Sequence, residues 1–378
     1  CNCKMPRTSH FTICLLVIIT QVLFIIFHFN FTPGGVPAPI PSRQSTLPKY
    51  ILYWTPFWGF RDFLIGFGME PFENCEYKNC FATNNRSLKP IEEFNAILFH
   101  GTIYNPKKNG RPQSRRKEQV YIFLNVEAPV YIAPNFAKFN SFYNWTMTYR
   151  FDSDIVWRHG KFIEEESNYT LPSAEAVQKK TKLIAWFASH CKTSSRRERL
   201  AAEMQKFLPV DIYGSCGPLK CGKSKNNSKL SSSKCYDMLD EDYKFYLSFE
   251  NSICKDYSTE KLYNVLRKNV VPIVYGGGDY NLSAPPHSVI DVSNFHSVEE
   301  LVEYLSHLDR NVTEYLKYFE WKKNYKVVKQ DRACDICKKL HEPFPDSVYN
   351  DLTSWSFGTH GEICKTSKHL PEIVRQLL

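Results

Sequence analysis

An α/β fold built on mostly parallel sheets is predicted for the greater part of this chain, and three observations point to it. From Lys49 onward, short apolar runs alternate with segments of helical spacing, the order that strands and crossover helices produce. The runs are short and continuously apolar, as in strands buried within a sheet. Apolar residues make up 43% of the 378 and charged residues 23%, enough for sizeable cores and too ordered a composition for a disordered chain. That length allows about two domains of ordinary size.

The first 48 residues stand apart. Residues 11–31 are predominantly apolar, with no charge between Phe11 and Phe27. A helix of roughly 20 such residues spans a bilayer core. Lys4 and Arg7 precede it and the next basic residue is Arg43, so residues 1–10 are expected on the cytoplasmic side. The competing reading is a cleaved signal peptide. The run exceeds an h-region of about 7–15 residues and no A-x-A-like site follows closely, so a single transmembrane signal-anchor is expected. Residues 32–48 carry Pro33, Pro37, Pro39, Pro41 and Pro48 and read as an extended stalk. The rest is then lumenal. Glycosylation sequons at Asn85, Asn144, Asn168, Asn226, Asn281 and Asn311 agree, as does the even number of cysteines, ten, beyond the stalk.

Tyr50–Trp54, Ala96–His100 and Val120–Leu124 read as strands, followed by Thr181–Phe187. Arg197–Phe207 has helical spacing, with Leu200, Met204 and Phe207 on one face. Asp211–Tyr213, Lys244–Phe249, Val271–Tyr275 and Val289–Val292 are further strands, and Thr259–Lys268 and Val298–Leu308 further helices. A boundary is placed where Ser, Pro, Glu and Lys dominate, dividing 49–175 from 176–345, with a tail over 346–378. The formal net charge of +9 suits an anionic partner. Lys107, Lys108, Arg111, Arg115, Arg116 and Lys117 cluster between two strands. They lack the interleaved aromatics of a nucleic-acid site and read as a solvated loop, so no nucleic-acid partner is expected.

Residues 244–275 carry the chemistry. A strand ends in Phe249-Glu250-Asn251-Ser252, and after a short loop a helix begins near Ser258 or Thr259. Its free N–H groups and dipole favour an anion. Lys261 in the first turn opposes the dipole unless an anion is held there, the kind of local inconsistency functional sites show. Tyr257 is either a platform for a base or sugar or a packed loop aromatic. On physics alone this is an anion or nucleotide site.

FENS at 249–252, DYSTEKL at 256–262, VPIVYGG at 271–277 and DVSNF at 291–295 resemble the α1,3-fucosyltransferases, glycosyltransferase family 10. Asn125-Val126-Glu127-Ala128-Pro129, NWTMTYRFDSDI at 144–155 and Val210–Gly214 extend the resemblance over nearly all of the lumenal part. Cys334-x-x-Cys337 followed by Leu340-His341 is similar to invertebrate, core-modifying members. The resemblance implies a GT-B fold, two Rossmann-like domains facing a cleft. Residues 49–175 would form the acceptor side, 176–345 would hold GDP-fucose, and 346–378 would pack back on the catalytic region. It implies a Golgi type II membrane enzyme that moves fucose with inversion from GDP-fucose to O3 of a GlcNAc residue on glycoprotein glycans, the N-glycan core before antennary chains. It implies Glu127 as general base, following a strand and preceding Pro129; without the resemblance, that residue reads better as a strand-end surface glutamate. Glu260 would contact fucose and meet developing positive charge. Arg197, Asn251, Tyr257 and Lys261 would bind the donor, with Arg196 adjacent if the register is off by one. Glu250 would have a structural role.

No metal ligand is assigned. Asp152-Ser153-Asp154 has the look of the DxD metal motif of another architecture and is set aside, and a divalent cation, Mn or Mg, enters only as a stimulant. Gly276-Gly277-Gly278 is either a close approach to a nucleotide or a plain turn. Cys334 and Cys337 have no second pair to complete a zinc site and are expected in a structural disulfide, with Cys75 and Cys80 as another candidate pair. The rival functions are a membrane-anchored glycan-binding inactive relative and a transferase using another nucleotide-sugar.

Overall fold

The computed structural model describes residues 47–132, 137–221, 233–358 and 362–378. The expected cytoplasmic tail and anchor, nearly all of the stalk, and the Asn226 sequon lie outside them. No helix among the described residues is long and apolar enough to cross a membrane.

Two parallel sheets and a small antiparallel ribbon organise the chain. The first sheet contains β1 (Lys49–Tyr53), β2 (Cys80–Thr83), β3 (Ala96–His100), β4 (Val120–Asn125), β5 (Trp145–Thr148) and β6 (Ile155–Val156), in the order β2-β1-β3-β4-β5-β6. The ribbon pairs β7 (Lys161–Glu164) with β13 (Tyr325–Val328). The second sheet contains β8 (Lys182–Phe187), β9 (Val210–Tyr213), β10 (Tyr243–Phe249), β11 (Val271–Tyr275) and β12 (Ile290–Asp291), in the order β12-β11-β10-β8-β9. In its own numbering the first sheet runs 2-1-3-4-5-6 and the second 2-1-3-4-5, the doubly wound order whose direction reverses between its first and third strands. Of the helices, α1 (Arg197–Met204), α2 (Ser233–Asp242), α3 (Glu260–Leu266) and α4 (Val298–Arg310) accompany the second sheet. Then α5 (Arg332–His341), α6 (Leu352–Phe357) and α7 (Glu372–Arg375) close the chain.

The strands expected as apolar runs are buried on both faces. In the first sheet Ile51, Leu98, Ile122 and Met147 enter one core, while Leu52, Ile97, Phe99 and Phe123 enter another. The period-2 alternation thus sorts residues between two apolar layers rather than between core and water. In the second sheet Ile184, Trp186, Phe245, Leu247, Val271 and Ile273 share a core with Leu200 and Met204 of α1 and Leu301 and Leu305 of α4.

The end of the chain departs from expectation. Residues 325–341 had been placed with the second sheet. Instead β13 pairs with β7, and α5 lays Ala333, Ile336, Cys337 and Leu340 on the first core. Helix α6 then adds Leu352 to the other layer of the first sheet, and the tail crosses to put Leu370, Ile373 and Val374 into the core of the second. The disulfides follow this return. Cys334 is joined to Cys75 and Cys337 to Cys80, so neither expected local pair forms. Positions 334 and 337 share one face of α5. That face abuts the segment before β2, so each sulfur meets a partner across the interface, at Cα separations of 5.1 and 5.9 Å. Closing a loop of that length removes about 5–6 kcal/mol of denatured-state freedom in the chain-entropy model. Cys191–Cys216, Cys221–Cys235 and Cys254–Cys364 account for the other six of the ten cysteines beyond the stalk.

Among the sequons, Asn85, Asn168 and Asn281 are exposed. Asn311 is half-buried and caps the next helix through Glu314 N–H. Asn144 is only 7% exposed: its Oδ1 accepts from the Tyr121 amide and from Arg115, and its Nδ2 donates to the Ser347 carbonyl. Its expected glycan has no room, and the amide instead joins β4, the basic loop and the tail. The loop's six basic side chains are otherwise exposed.

Two measurements check this arrangement. Non-reducing peptide mapping should recover Cys75–Cys334 and Cys80–Cys337 cross-links; a Cys334–Cys337 link would contradict the placement of α5. Glycopeptide analysis should find Asn144 bare, and occupancy there would mean that the β4–β5 region is built differently.

Candidate active site

In a doubly wound sheet, ligands bind beyond the carboxyl ends of the strands where the order reverses. In the second sheet that point lies between β8 and β10, and loops 188–197 and 250–259 meet there. Ser195 N–H donates to the Asn251 carbonyl at 3.2 Å and Ser195 Oγ to the Glu250 carbonyl at 2.7 Å. Arg197, the first residue of α1, is 3% exposed and clasps the loops together: Nη1 donates to the Phe249 carbonyl at 2.6 Å and Nη2 to the His190 carbonyl at 3.1 Å. Its Nε and the Oδ1 of Asn251 are buried with no partner among the described residues. Buried polar atoms normally find partners, so orphans at a switch point mark a place suited to a polar ligand. Arg196 is half-buried and more open than its neighbour.

The start of α3 resolves the inconsistency at Lys261. The buried carboxylate of Glu250, 2% exposed, accepts from the Thr259 amide and from Thr259 Oγ1, each at 2.8 Å. Lys261 Nζ donates to the same carboxylate at 3.0 Å and to Thr259 Oγ1 at 2.7 Å, and lies 3.5 Å from Glu260. The anion that the lysine requires is thus a side chain of the protein, which also satisfies an amide at the helix N-terminus. Burial works against the charge on Lys261, but Glu250 and Glu260 outweigh it and raise its pKa.

Glu260 has a half-exposed side chain, and His159 Nδ1 approaches its other oxygen at 3.3 Å. Desolvation acts to raise its pKa, yet Lys261 and His159 prevail and hold the carboxyl at about 2. His159 reaches α3 because Gly160 fits against Tyr263: a Cβ there would lie 2.6 Å from the ring.

Glu127 faces this group from the first sheet. It lies two residues beyond β4, where Asn125 wraps the turn: Asn125 Nδ2 donates to the Glu127 carbonyl at 2.6 Å and its Oδ1 accepts from Thr102 at 2.8 Å. Tyr257 Oη donates to Glu127 Oε2 at 3.3 Å. Burial raises the pKa of Glu127, with Lys261 acting against it and Glu260 with it. The two glutamates are therefore driven in opposite directions, Glu127 up and Glu260 down.

The structure brings Glu127, Tyr257, Glu260 and Lys261 together from both sheets, with Arg197 and Asn251 at the adjoining switch point. Of the two readings of Tyr257, it favours the packed aromatic: the ring is buried beside Tyr149, at a centroid distance of 4.8 Å, and Cys254. Sequence reasoning missed His159, which carries no local signal beyond its type, and gave Asn125 only as part of a motif with no role of its own. Asp152 pairs with Arg150 and Lys255, and Asp154 accepts from the Thr146 amide and from Tyr349, so both carboxylates have protein partners. Cys75, Asp331 and Cys334, and likewise Cys80, Cys337 and His341, converge as metal ligands would, but their four sulfurs are joined in two disulfides. In the glycine run, a Cβ on Gly277 would lie 2.1 Å from the Cys254 carbonyl oxygen, so this glycine permits close packing of the 254–258 loop.

Glu250→Ala strands the Thr259 amide and removes a partner of Lys261, and should cost about 2–4 kcal/mol. Glu250→Gln, which keeps an acceptor, should cost less. Thermal unfolding checks the order; an alanine variant as stable as the parent would refute the capping role.

Comparison with known proteins gives the relationship. Residues 46–160 match the family model "Fucosyltransferase, N-terminal", and residues 177–355 match "Glycosyltransferase family 10 (fucosyltransferase) C-term". The chain is 36% identical over 344 residues to Alpha-(1,3)-fucosyltransferase C of Drosophila melanogaster, covering 84% of this chain and 79% of that protein. It is 38% identical over 296 residues to Glycoprotein 3-alpha-L-fucosyltransferase A of the same organism, covering 74% and 55%. A crystal structure of an α1,3-fucosyltransferase with GDP-fucose superposes with a TM-score of 0.49 at 16% identity, over 82% of this chain and 94% of that one. The chain belongs to glycosyltransferase family 10, the fucosyltransferases.

Proposed function

We propose that the protein is an inverting α1,3-fucosyltransferase of GT-B architecture that moves fucose from GDP-fucose to O3 of a GlcNAc residue on glycoprotein glycans. The observation that carries the reading is the pair of oppositely tuned carboxylates that both feel the Lys261 charge. Pairs of titratable groups pushed apart in pKa mark acid–base assignments. Glu127, raised by burial, is the base that takes the proton of the acceptor hydroxyl as it attacks. Glu260, held ionised, faces the positive charge that grows on the sugar ring in an oxocarbenium-like transition state. Lys261, held protonated, stabilises the departing diphosphate.

The donor lies at the switch point of the second sheet, with Asn251 offering its orphaned oxygen. Arg197 acts there by fixing loops 188–197 and 250–259, and Tyr257 by holding Glu127. The acceptor enters from the side of the first sheet, where Glu127 is presented. The enzyme is held in the Golgi membrane as a single-pass type II protein by residues 11–31, and the core GlcNAc of N-glycans is its preferred acceptor. Five disulfides suit the oxidising lumen this topology requires.

The test is incubation with GDP-fucose and a panel of N-glycan core and LacNAc-type acceptors, reading product mass and linkage. Fucose at O3 of GlcNAc supports the reading; GDP-fucose binding without transfer to any acceptor points to an inactive relative. Glu127→Gln should lower turnover by a factor on the order of a thousand or more, with GDP affinity nearly unchanged. Lys261→Ala should weaken GDP binding. Because the base must be deprotonated, kcat should fall as pH drops through a pKa above the usual carboxylate range, and that limb should vanish from the residual rate of Glu127→Gln.

A further inference from the structure

Four consecutive residues of the 254–257 loop are each fastened to a segment outside it. Cys254 is disulfide-bonded to Cys364 of the tail. Lys255 donates its amide to the Ile363 carbonyl at 2.7 Å and its Nζ to Asp152 at 3.2 Å. Asp256 donates its amide to the Gly277 carbonyl at 2.9 Å, and its Oδ2 accepts the Phe151 amide at 3.1 Å. Tyr257 reaches Glu127. Asp256 is the pivot. Its backbone is left-handed, φ +64°, a conformation that Asp and Asn tolerate better than most other side chains, and its side chain is buried. The bond to Phe151 crosses from the second sheet's loop to the turn after β5, beside the loop's other link to the first sheet's side through Tyr257. We propose that Asp256 is a positioning residue for the transfer reaction: by binding the Phe151 amide it sets the register of the loop against the first sheet and so aims Tyr257 at Glu127. The inference rests on Glu127 being the base.

The charged groups around the pivot are Lys255, Asp152 and Arg150; those around Glu127 are Lys261, Glu260 and Glu250. The hydrogen bond from Tyr257 lowers the Glu127 pKa against the effect of burial, so losing it should move that titration upward. Asp256→Gly admits the left-handed backbone and removes the acceptor, while freeing the backbone at that position. Asp256→Asn retains an acceptor and tolerates the same backbone. Tyr257→Phe breaks the last link alone. In the full chain, without substrate, the Glu127 carboxyl is titrated by infrared difference against the matching Glu127→Gln protein. Asp256→Gly and Tyr257→Phe should each raise the Glu127 midpoint by about half to one pH unit. Their combination should raise it no further, because both cut one chain of contacts. In the transfer assay Asp256→Gly should lose roughly tenfold in kcat with a smaller change in KM for GDP-fucose, and Asp256→Asn should recover most of that loss. An unmoved Glu127 midpoint in Asp256→Gly, or additive shifts in the double variant, would overturn the proposal. The titration needs no turnover, so a parent protein that transfers no fucose would count against the proposed reaction and leave this result readable.

Discussion

The carboxylate of Glu250 is the constraint on which the candidate site depends. A buried anion is tolerated only when it is paired and hydrogen-bonded. Here Thr259 supplies an amide and a hydroxyl, and Lys261 an ammonium. The same three bonds fix the first turn of α3, so Glu260 and Lys261 emerge at set positions. Placed elsewhere, a lysine in the first turn of a helix would oppose the dipole. With Glu250 beneath it, the lysine is a held cation with a carboxylate on either side, and the helix start becomes a charged platform rather than an empty anion hole.

The platform matters only because the first sheet is brought to face it. The chain after the second sheet doubles back: β13 joins β7, α5 packs under two disulfides on the first core, and the tail passes from one core to the other. Gly160 against Tyr263 and Asp256 against the Phe151 amide then set the close approach. Covalent closure of long loops limits the freedom of the unfolded chain, whereas the glycine and aspartate contacts fix geometry at the scale of a hydrogen bond. The two kinds of constraint are complementary. The first keeps the sheets together, and the second decides which atoms meet.

Much of this was legible in the sequence, and the limits are physical. Val120–Asn125 and Val271–Tyr275 are continuous apolar runs because each strand is covered twice, so their signal is strong and their bounds nearly correct. Trp145–Thr148 was passed over because alternate threonines imitate a solvated loop, although all four residues are buried. The ribbon of Lys161–Glu164 and Tyr325–Val328 is short, lysine-bearing and half-exposed, and its pairing spans more than half the described chain. Periodicity reports a residue's local conformation and cannot report a partner so far away. The same reason misdirected the cysteines: spacing suggested local pairs, while the return of α5 supplied distant ones. At the site, the conflict at Lys261 was visible, but its resolution by Glu250 required knowing that the end of β10 lies beneath the start of α3. His159 gave no signal at all, since its role comes from the helix it touches.

The opposed tuning of the two glutamates follows from position alone. Both lie near Lys261, yet Glu127 is set in a tyrosine-walled crevice with one long hydrogen bond, while Glu260 is half-exposed and contacted by both Lys261 and His159. Burial without full compensation favours the neutral form, and a lysine cation in contact with a carboxylate favours the charged one. A proton acceptor must be able to change state near working pH, whereas a group that stabilises positive charge must not. For the proposed reaction, exchanging the two environments would leave an inert anion where the proton is to be taken and a neutralisable acid where charge is to be met. In the proposed reaction the two roles need no difference in residue type, because the contact between loop 250–261 and the end of β4 sets the two environments apart.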